Sequence, residues 1–142
     1  DIVNSDKKLP GMMWIHGGAN VVGSAHTYDP STLVSNHNVI VVTIQYRMGP
    51  FGWFRHPALH DEMSTLEDRS GNYGTLDTIT ALRWINENIH HFGGDPSNVT
   101  EFGESAGGQY KCVVVQAVCG DPSSVWWSQP VCGQRRLASL LG

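Results

Sequence analysis

The sequence predicts an α/β protein built on a parallel sheet whose strands are joined by helices or long connections. Three short apolar runs have the composition of buried strands: Met12 to Ile15, Val39 to Gln45 and Val99 to Phe102. An amphipathic helix is predicted between the second run and the third. Strands that alternate with helical or long connecting segments are typical of a parallel sheet covered on both faces.

The first two runs are the strongest strand signals. "MMWI" is continuously apolar, follows Pro10-Gly11 and precedes the small residues that begin at His16, so we expect a strand buried on both faces. "VIVVTIQ" is rich in β-branched side chains, which favour strands. "VTEF" is the shortest of the three runs and leads directly into a glycine-rich turn.

The predicted helix runs from about Asp77 to Ile89. Gly93-Gly94 and then Asp95-Pro96 end it. Its charged and amide residues can face water, whereas its apolar residues recur at helical spacing and predict a buried face: Leu76, Ile79, Leu82, Ile85 and Ile89.

The length and the charge of the chain limit the classes of function that it can have. A chain of 142 residues with 40% hydrophobic residues forms one domain at most. Its net charge of −4 and the lack of basic runs give no support for a nucleic-acid partner, and no apolar stretch reaches the roughly 18 residues of a membrane span. The chain begins at Asp1 in what reads as a surface loop, so we expect the true start to be missing and assign neither compartment nor oligomeric state.

The composition changes after Tyr110. All 3 cysteines and a Trp-Trp pair lie in residues 111–142, where the charge balance turns basic. The cysteine spacing fits neither a disulfide framework nor a metal or redox site, and no metal or organic cofactor is predicted. We therefore divide the chain into a catalytic part, residues 1–110, and a tail, residues 111–142, and the hypothesis for the tail is translation in a wrong reading frame.

A candidate nucleophile lies in "VTEFGESAGGQ". The pattern Gly-x-Ser-x-Gly between a strand and a helix is the nucleophile elbow, which exposes Ser105 at the carboxyl edge of the sheet. Gly103 and Gly107 leave room where a side chain would clash with the neighbouring strand or helix. The backbone N–H of Ala106 and the positive end of the following helix can serve an oxyanion.

The segment "HGGAN", His16 to Asn20, follows the first strand. Alone it is also consistent with an ordinary Gly-Gly turn. Together with the elbow it favours an oxyanion loop, whose N–H donors are worth roughly 3–4 kcal/mol each in acyl transfer.

With these segments, the chain resembles the carboxylesterase type B family, the cholinesterase-like α/β-hydrolases, and in particular the bacterial para-nitrobenzyl-type esterases. The resemblance extends over "LPGMMWIHGGANVVGSAHTYDP", "NVIVVTIQYRMGPFGWFRHPAL" and "GNYGTLDTITALRWINENIHHFGGDPSNVTEFGESAGG". It implies an incomplete α/β-hydrolase fold that has only central parallel strands and flanking helices, with the first strand between the other two.

The resemblance also assigns roles. Ser105 is implied as the acyl-forming nucleophile, and the N–H groups of Gly18, Ala19 and Ala106 as the oxyanion hole. Ala19 replaces a glycine usual in the family. Glu104 is not implied as the triad acid, and Arg47 with Asp77 is expected to form a buried structural ion pair. In the strand before the elbow, Glu101 replaces an apolar residue, and a buried carboxylate is costly unless it is paired or protonated.

The family's triad acid and histidine follow the serine. Here all 7 histidines precede Ser105. His16 alone lies near the site by motif, and the resemblance implies that it supports the oxyanion loop rather than acting as the base. We therefore expect this polypeptide to be nearly inactive by itself.

The predicted function is serine carboxylic-ester hydrolysis through an acyl-enzyme, with a small-molecule carboxylic ester as substrate. Two alternatives remain. One is a non-catalytic adhesion or binding protein of the same fold, although such relatives typically lose the elbow serine. The other is a truncated gene product without a function of its own.

Overall fold

A computed structural model describes residues 8–109 of the chain. They form a parallel sheet of three strands in the order β2-β1-β3, where β1 is Leu9–Ile15, β2 is Ile40–Ile44 and β3 is Gly94–Gly103. The α/β class and the central position of the first strand are confirmed. The predictions for residues 111–142, including the cysteines, lie outside the described residues.

Helices and short 3₁₀ turns connect the strands. Helix α1, Ser31–His37, lies between β1 and β2, the single turn α2 spans Gly49–Gly52, and α3, Tyr73–Asn88, leads to β3. Only α3 is predicted by the sequence. The described residues also contain 3₁₀ turns at Ala25–Thr27, Pro57–Leu59, Asp68–Ser70 and Ile89–Phe92.

The core lies between one face of the sheet and α3. Met13 and Ile15 of β1 are fully buried, and Ile44 of β2 is nearly so. The predicted apolar face of α3 packs on them, with Leu76 at its margin and Ile79, Leu82 and Ile85 buried. Ile89, in the 3₁₀ turn that follows α3, is buried in the same layer. Burying such a side chain stabilises the fold by about 1.5–3 kcal/mol, so this layer holds the sheet together.

Helix α3 begins at Tyr73, about one turn before its predicted start. The glycine at position 74 is a reason to expect a loop there, since glycine weakens helices. In the structure Gly74 permits close packing, because a side chain at this position would collide with the indole of Trp53 and meet the Arg47 carbonyl at 2.5 Å. The helix ends at Asn88, and the turn after it closes at Gly93 in a left-handed conformation, φ 81°.

Strand β3 begins at Gly94, earlier than the predicted Val99. Its register with β1 shifts between two short ladders, since Pro10 pairs with Asp95 but Gly11 pairs with Val99. Residues 96–98 form the bulge between the ladders. The turn signal of Asp95-Pro96 is therefore genuine, but the bulge accommodates it within the strand.

The prediction that β1 is buried on both faces is wrong for the described residues. Met12 and Trp14, which point away from α3, are only partly buried. The indole of Trp14 stacks on Tyr28 with ring centres 4.2 Å apart and contacts Phe102 at 4.9 Å. This second face is thus covered by an aromatic cluster and not by a helix.

Arg47 and Asp77 form the expected ion pair, with Nη2 and Oδ1 2.7 Å apart. Asp77 Oδ2 also accepts hydrogen bonds from the Arg47 backbone N–H at 2.9 Å and from Nε at 2.8 Å. The expectation that the pair is buried is wrong, because the Arg47 side chain is 52% exposed and the Asp77 side chain 25%. The guanidinium lies over the ring of Tyr73, 5.1 Å from its centre, at the protein surface.

Candidate functional site

The turn after β3 has the geometry of a nucleophile elbow. Ser105 has φ 54°, a left-handed conformation that is unusual for a residue other than glycine, and its side chain is exposed. Residues 106–109 are helical, and the first turn is fastened by hydrogen bonds from Gly107 N to Glu104 O at 2.9 Å and from Gly108 N to Ser105 O at 3.0 Å. The strand-turn-helix context predicted from the sequence is confirmed.

The two glycines that flank the serine have little space around them. A Cβ on Gly103 would lie 2.6 Å from the Ile15 carbonyl oxygen, and one on Gly107 would collide with the same oxygen. Real Cβ atoms do not approach this closely, so the end of β1 excludes side chains from both positions. The close approach predicted from the glycine pattern therefore involves the neighbouring strand β1.

The candidate oxyanion loop follows β1. It contains three consecutive residues at positive φ: Gly18 at 112°, Ala19 at 53° and Asn20 at 66°. The Gly18 carbonyl accepts hydrogen bonds from the N–H groups of Val21 and Val22 at 3.0 and 3.1 Å. The Asn20 carbonyl accepts one from outside the loop, from Gly49 N at 2.5 Å. Ala19 thus occupies a backbone conformation that glycine adopts more readily.

The loop and the elbow lie side by side. A Cβ on Gly17 would be 3.0 Å from Ser105 Cβ and 2.8 Å from the Glu104 carbonyl oxygen. This proximity follows from the sheet, in which Ile15 and Gly103 are paired in register at the carboxyl ends of β1 and β3. Residues that are far apart in the sequence are therefore brought into one site by the parallel ladder.

His16 is buried between the loop and the end of β2, with 2% of its surface exposed. Its Nδ1 lies 2.8 Å from the Gly17 carbonyl oxygen, and its ring stacks on Tyr46 with centres 4.5 Å apart. The Tyr46 hydroxyl donates to the His16 carbonyl oxygen at 2.6 Å, and burial raises the pKa of this phenol. These contacts tie His16 to the backbone and agree with a supporting role.

Gln45 is a residue of the site that the sequence analysis missed. Its Nε2 lies 3.2 Å from His16 Nε2, and its Oε1 accepts a hydrogen bond from the Ala25 backbone N–H at 3.0 Å. Gln45 directly follows β2. Because the carboxyl ends of parallel strands meet at one edge of the sheet, the place of Gln45 at the end of a strand run indicates this edge but not its contact with His16.

Three other titratable side chains lie away from the elbow surface. His90 and His91 are exposed in the 3₁₀ turn that precedes β3, at the edge of the sheet opposite Ser105. Glu101 is buried, 5% exposed, and is paired in register with Met13 in the central strand. Its predicted burial is confirmed, and it lies in the core and not at the elbow surface.

The described residues contain neither a group of metal ligands nor a membrane-spanning helix. Within residues 8–109, no three His, Cys, Asp or Glu side chains are grouped so that they could hold a metal ion. In the same part of the chain, no helix combines the length and the apolar character needed to cross a membrane.

Comparison with known proteins gives one consistent family. Residues 2–122 match the model of the carboxylesterase family. Liver carboxylesterase 1 of Oryctolagus cuniculus is 54% identical over 103 residues, which are 72% of this chain and 17% of the relative. The cocaine esterase of Homo sapiens is 53% identical over 100 residues, 70% of this chain and 16% of the relative.

Solved structures agree with this comparison. A thermophilic PNB esterase superposes with a TM-score of 0.65 at 47% identity and covers 76% of this chain, which corresponds to 22% of that esterase. This neighbour is an α/β-hydrolase esterase, so the sheet described here is part of that fold. The chain thus spans only about a fifth of the length of the relatives that it matches.

Proposed function

Because this chain belongs to the carboxylesterase family, we propose that it carries the nucleophile and the oxyanion loop of a serine carboxylic-ester hydrolase. The observation that carries the proposal is the left-handed Ser105 beside Gly17 at the carboxyl edge of a parallel sheet. An exposed serine in such a turn is accessible to a substrate carbonyl. The retained serine and loop favour an esterase over a non-catalytic binding protein.

In the proposed reaction, the Ser105 oxygen attacks the ester carbonyl carbon and its proton passes to a base. The N–H groups of Gly18, Ala19 and Ala106 stabilise the negative oxygen of the tetrahedral intermediate. The intermediate collapses to an acyl-enzyme as the alcohol leaves with a proton. Water then attacks the acyl group and releases the acid, restoring the serine hydroxyl.

The base and the triad acid are proposed to lie outside this polypeptide. The contacts of His16 support this view, since Gly17 and Gln45 already engage its two ring nitrogens. Without a base, a serine hydroxyl is a weak nucleophile, and loss of the triad histidine lowers turnover by on the order of 10⁶ in a serine hydrolase. We therefore expect the chain alone to hydrolyse esters at close to background rates.

The test is hydrolysis of a p-nitrophenyl ester by two proteins. One is the 142-residue chain. The other is a hybrid in which residues 9–109 replace the matching segment of the thermophilic PNB esterase, whose remaining chain is expected to supply a histidine and an acid. Ser105→Ala is made in both proteins as the control.

We expect the hybrid to hydrolyse the ester, and its Ser105→Ala form to be slower by several orders of magnitude. A folded hybrid whose activity is unaffected by Ser105→Ala would contradict the role of Ser105. Equal, Ser105-dependent activity of the chain and the hybrid would instead show that the base lies within this chain.

A further inference from the structure

Gln45 has no part in the proposed chemistry, yet it connects the site to the 3₁₀ turn Ala25–Thr27. Its side chain connects the imidazole of His16 with the main chain of Ala25, across distances of 3.2 and 3.0 Å. His16 in turn contacts the carbonyl of Gly17, the next residue of the oxyanion loop, at 2.8 Å. The three contacts form a continuous relay from Ala25 to the loop.

The direction of each hydrogen bond in the relay is determined by its ends. The Gly17 carbonyl can only accept, so His16 Nδ1 carries the proton and Nε2 of the neutral ring is an acceptor. Gln45 must then present its NH₂ group to Nε2 and its Oε1 to Ala25. The Ala25 backbone N–H can only donate, so both ends of the relay require the same orientation of the Gln45 amide.

The relay has a consequence for the oxyanion hole because a peptide unit is planar. The Gly17 carbonyl and the Gly18 N–H belong to one peptide and point in opposite directions. A bond from His16 Nδ1 to the Gly17 oxygen therefore sets the direction in which the Gly18 N–H points. Gly18 N–H is one of the donors proposed for the oxyanion.

His16 has no room to adopt another orientation. Tyr46 stacks against one side of its ring, and its hydroxyl holds the His16 carbonyl. Gly23 approaches closely, since a Cβ there would lie 2.5 Å from His16 Nδ1. The ring position is thus fixed by packing, which leaves the position of its proton as the property that a hydrogen-bond partner can select.

We propose that Gln45 is a positioning residue for the oxyanion loop: it selects the Nδ1–H form of His16 and thereby orients the Gly18 N–H. This inference rests on the proposed esterase function, in which the Gly18 N–H stabilises the transition state. Gln45 itself touches neither the serine nor the reacting carbonyl.

The first test is spectroscopic and does not depend on hydrolysis. In the 142-residue chain labelled with ¹⁵N-histidine, His16 should give a protonated, pyrrole-type Nδ1 and an unprotonated, pyridine-type Nε2 at neutral pH. In Gln45→Glu a carboxylate faces Nε2 and can only accept, so a proton should appear on Nε2. Asn88→Asp makes the same chemical change on α3 and should leave the His16 signals unchanged.

The second test is kinetic and uses the hybrid esterase. Gln45→Leu should lower kcat for a p-nitrophenyl ester by about 10- to 100-fold and leave KM within about twofold, because the misaligned donor acts mainly on the oxyanion of the transition state. Asn88→Leu should leave both constants unchanged. Gln45→Glu, which keeps an acceptor for Ala25, serves as the second variant in case the leucine disturbs folding.

The two tests separate the possible failures. A proton on Nε2 in the unsubstituted chain, or an unchanged kcat in both Gln45 variants, would overturn the role of Gln45. Hydrolysis that is independent of Ser105 would overturn the proposed function, and the histidine spectrum would still decide whether Gln45 selects the ring proton.

Discussion

Ser105 and Ala19 both have left-handed backbones, although neither is glycine. Such a conformation costs an ordinary L-residue roughly 1–2 kcal/mol. At Ser105 the strain exposes the hydroxyl and belongs to the elbow that the sequence predicts. At Ala19, φ 53°, it lies in the candidate oxyanion loop, where the sequence alone did not specify the backbone angles.

We expect Ala19→Gly to raise the free energy of unfolding by up to about 1 kcal/mol. Glycine relieves the left-handed strain, but the gain is reduced by the greater freedom of glycine in the unfolded chain, about 0.5–1 kcal/mol. Urea unfolding measures the change. Ala58→Gly, in an exposed 3₁₀ turn with ordinary φ, should lower stability and is the matched control. Equal losses in both variants would show that Ala19 is not strained.

The residues of the site differ in how far sequence predicts them. Ser105, Gly103 and Gly107 could be predicted because the elbow imposes local steric rules on adjacent residues. Gln45 could not be predicted, because its role depends on a contact with His16, which follows a different strand. Sequence patterns report local geometry well and contacts between separate strands poorly.

The ends of the helices and strands were harder to predict from the sequence than their centres. The buried face of α3 was correct because helical spacing reports one apolar stripe directly. The start of α3 was predicted too late because Gly74 favours a loop, whereas in the structure it permits close packing. The start of β3 was predicted too late because Pro96 favours a turn, whereas in the structure it lies in a bulge within the strand. Helix α1 has no buried residue, so it left no apolar periodicity to detect.

The ion pair between Arg47 and Asp77 fastens α3 to the segment that follows β2. Burial alone would raise the pKa of Asp77, but the hydrogen bonds and the charge of Arg47 outweigh it and hold this pKa below the ordinary 3.8. A lowered folded-state pKa means that the ionised form is favoured by folding. The resulting stabilisation is present above the unfolded pKa and is lost as the pH falls through the lower folded value.

Asp77→Asn should therefore flatten the acid side of the stability profile. Between about pH 5 and pH 3 the unsubstituted chain should lose stability relative to the variant, by no more than about 1 kcal/mol because solvent screens a half-exposed pair. Urea midpoints across this range provide the measurement. Glu62→Gln, at an exposed carboxylate outside the ion pair, should leave the slope unchanged. Parallel profiles for all three proteins would rule out the linkage.

In the molecule as a whole, the outer strands of the sheet have unpaired edges among the described residues. Among residues 8–109, β2 and β3 each pair only with β1. A groove of about 320 Å³ runs along β2 beneath α3, lined by strand residues together with Trp84 and Phe92, which are 49% and 58% exposed. Unpaired apolar strand edges promote association between chains. The resemblance predicted these edges, since it placed β1 between the other strands.

We expect the isolated chain to self-associate at micromolar concentration through this groove. Phe92→Lys should weaken the association at least several-fold, because a charge at the groove disfavours burial of the β2 edge. Sedimentation velocity over a concentration series measures it. Phe51→Lys changes an even more exposed phenylalanine, 79%, that does not line the groove, and should have little effect. Equal effects of the two variants would point to non-specific hydrophobic association.

The pairing of Ile15 with Gly103 has a consequence for how this protein can diversify. The serine and its loop are held together by two adjacent strands, so the residues between them in the sequence do not set the distance. The segment 57–70 mostly bonds to itself, as when Arg69 donates to the carbonyls of Asp61 and Ser64 at 2.6 and 3.0 Å. Doubling the length of such a loop costs only about 0.6 kcal/mol in closure entropy. Insertions there can lengthen the connection between β2 and α3 while the spacing of Ser105 and its loop stays the same, so the length of this segment is free to vary in evolution.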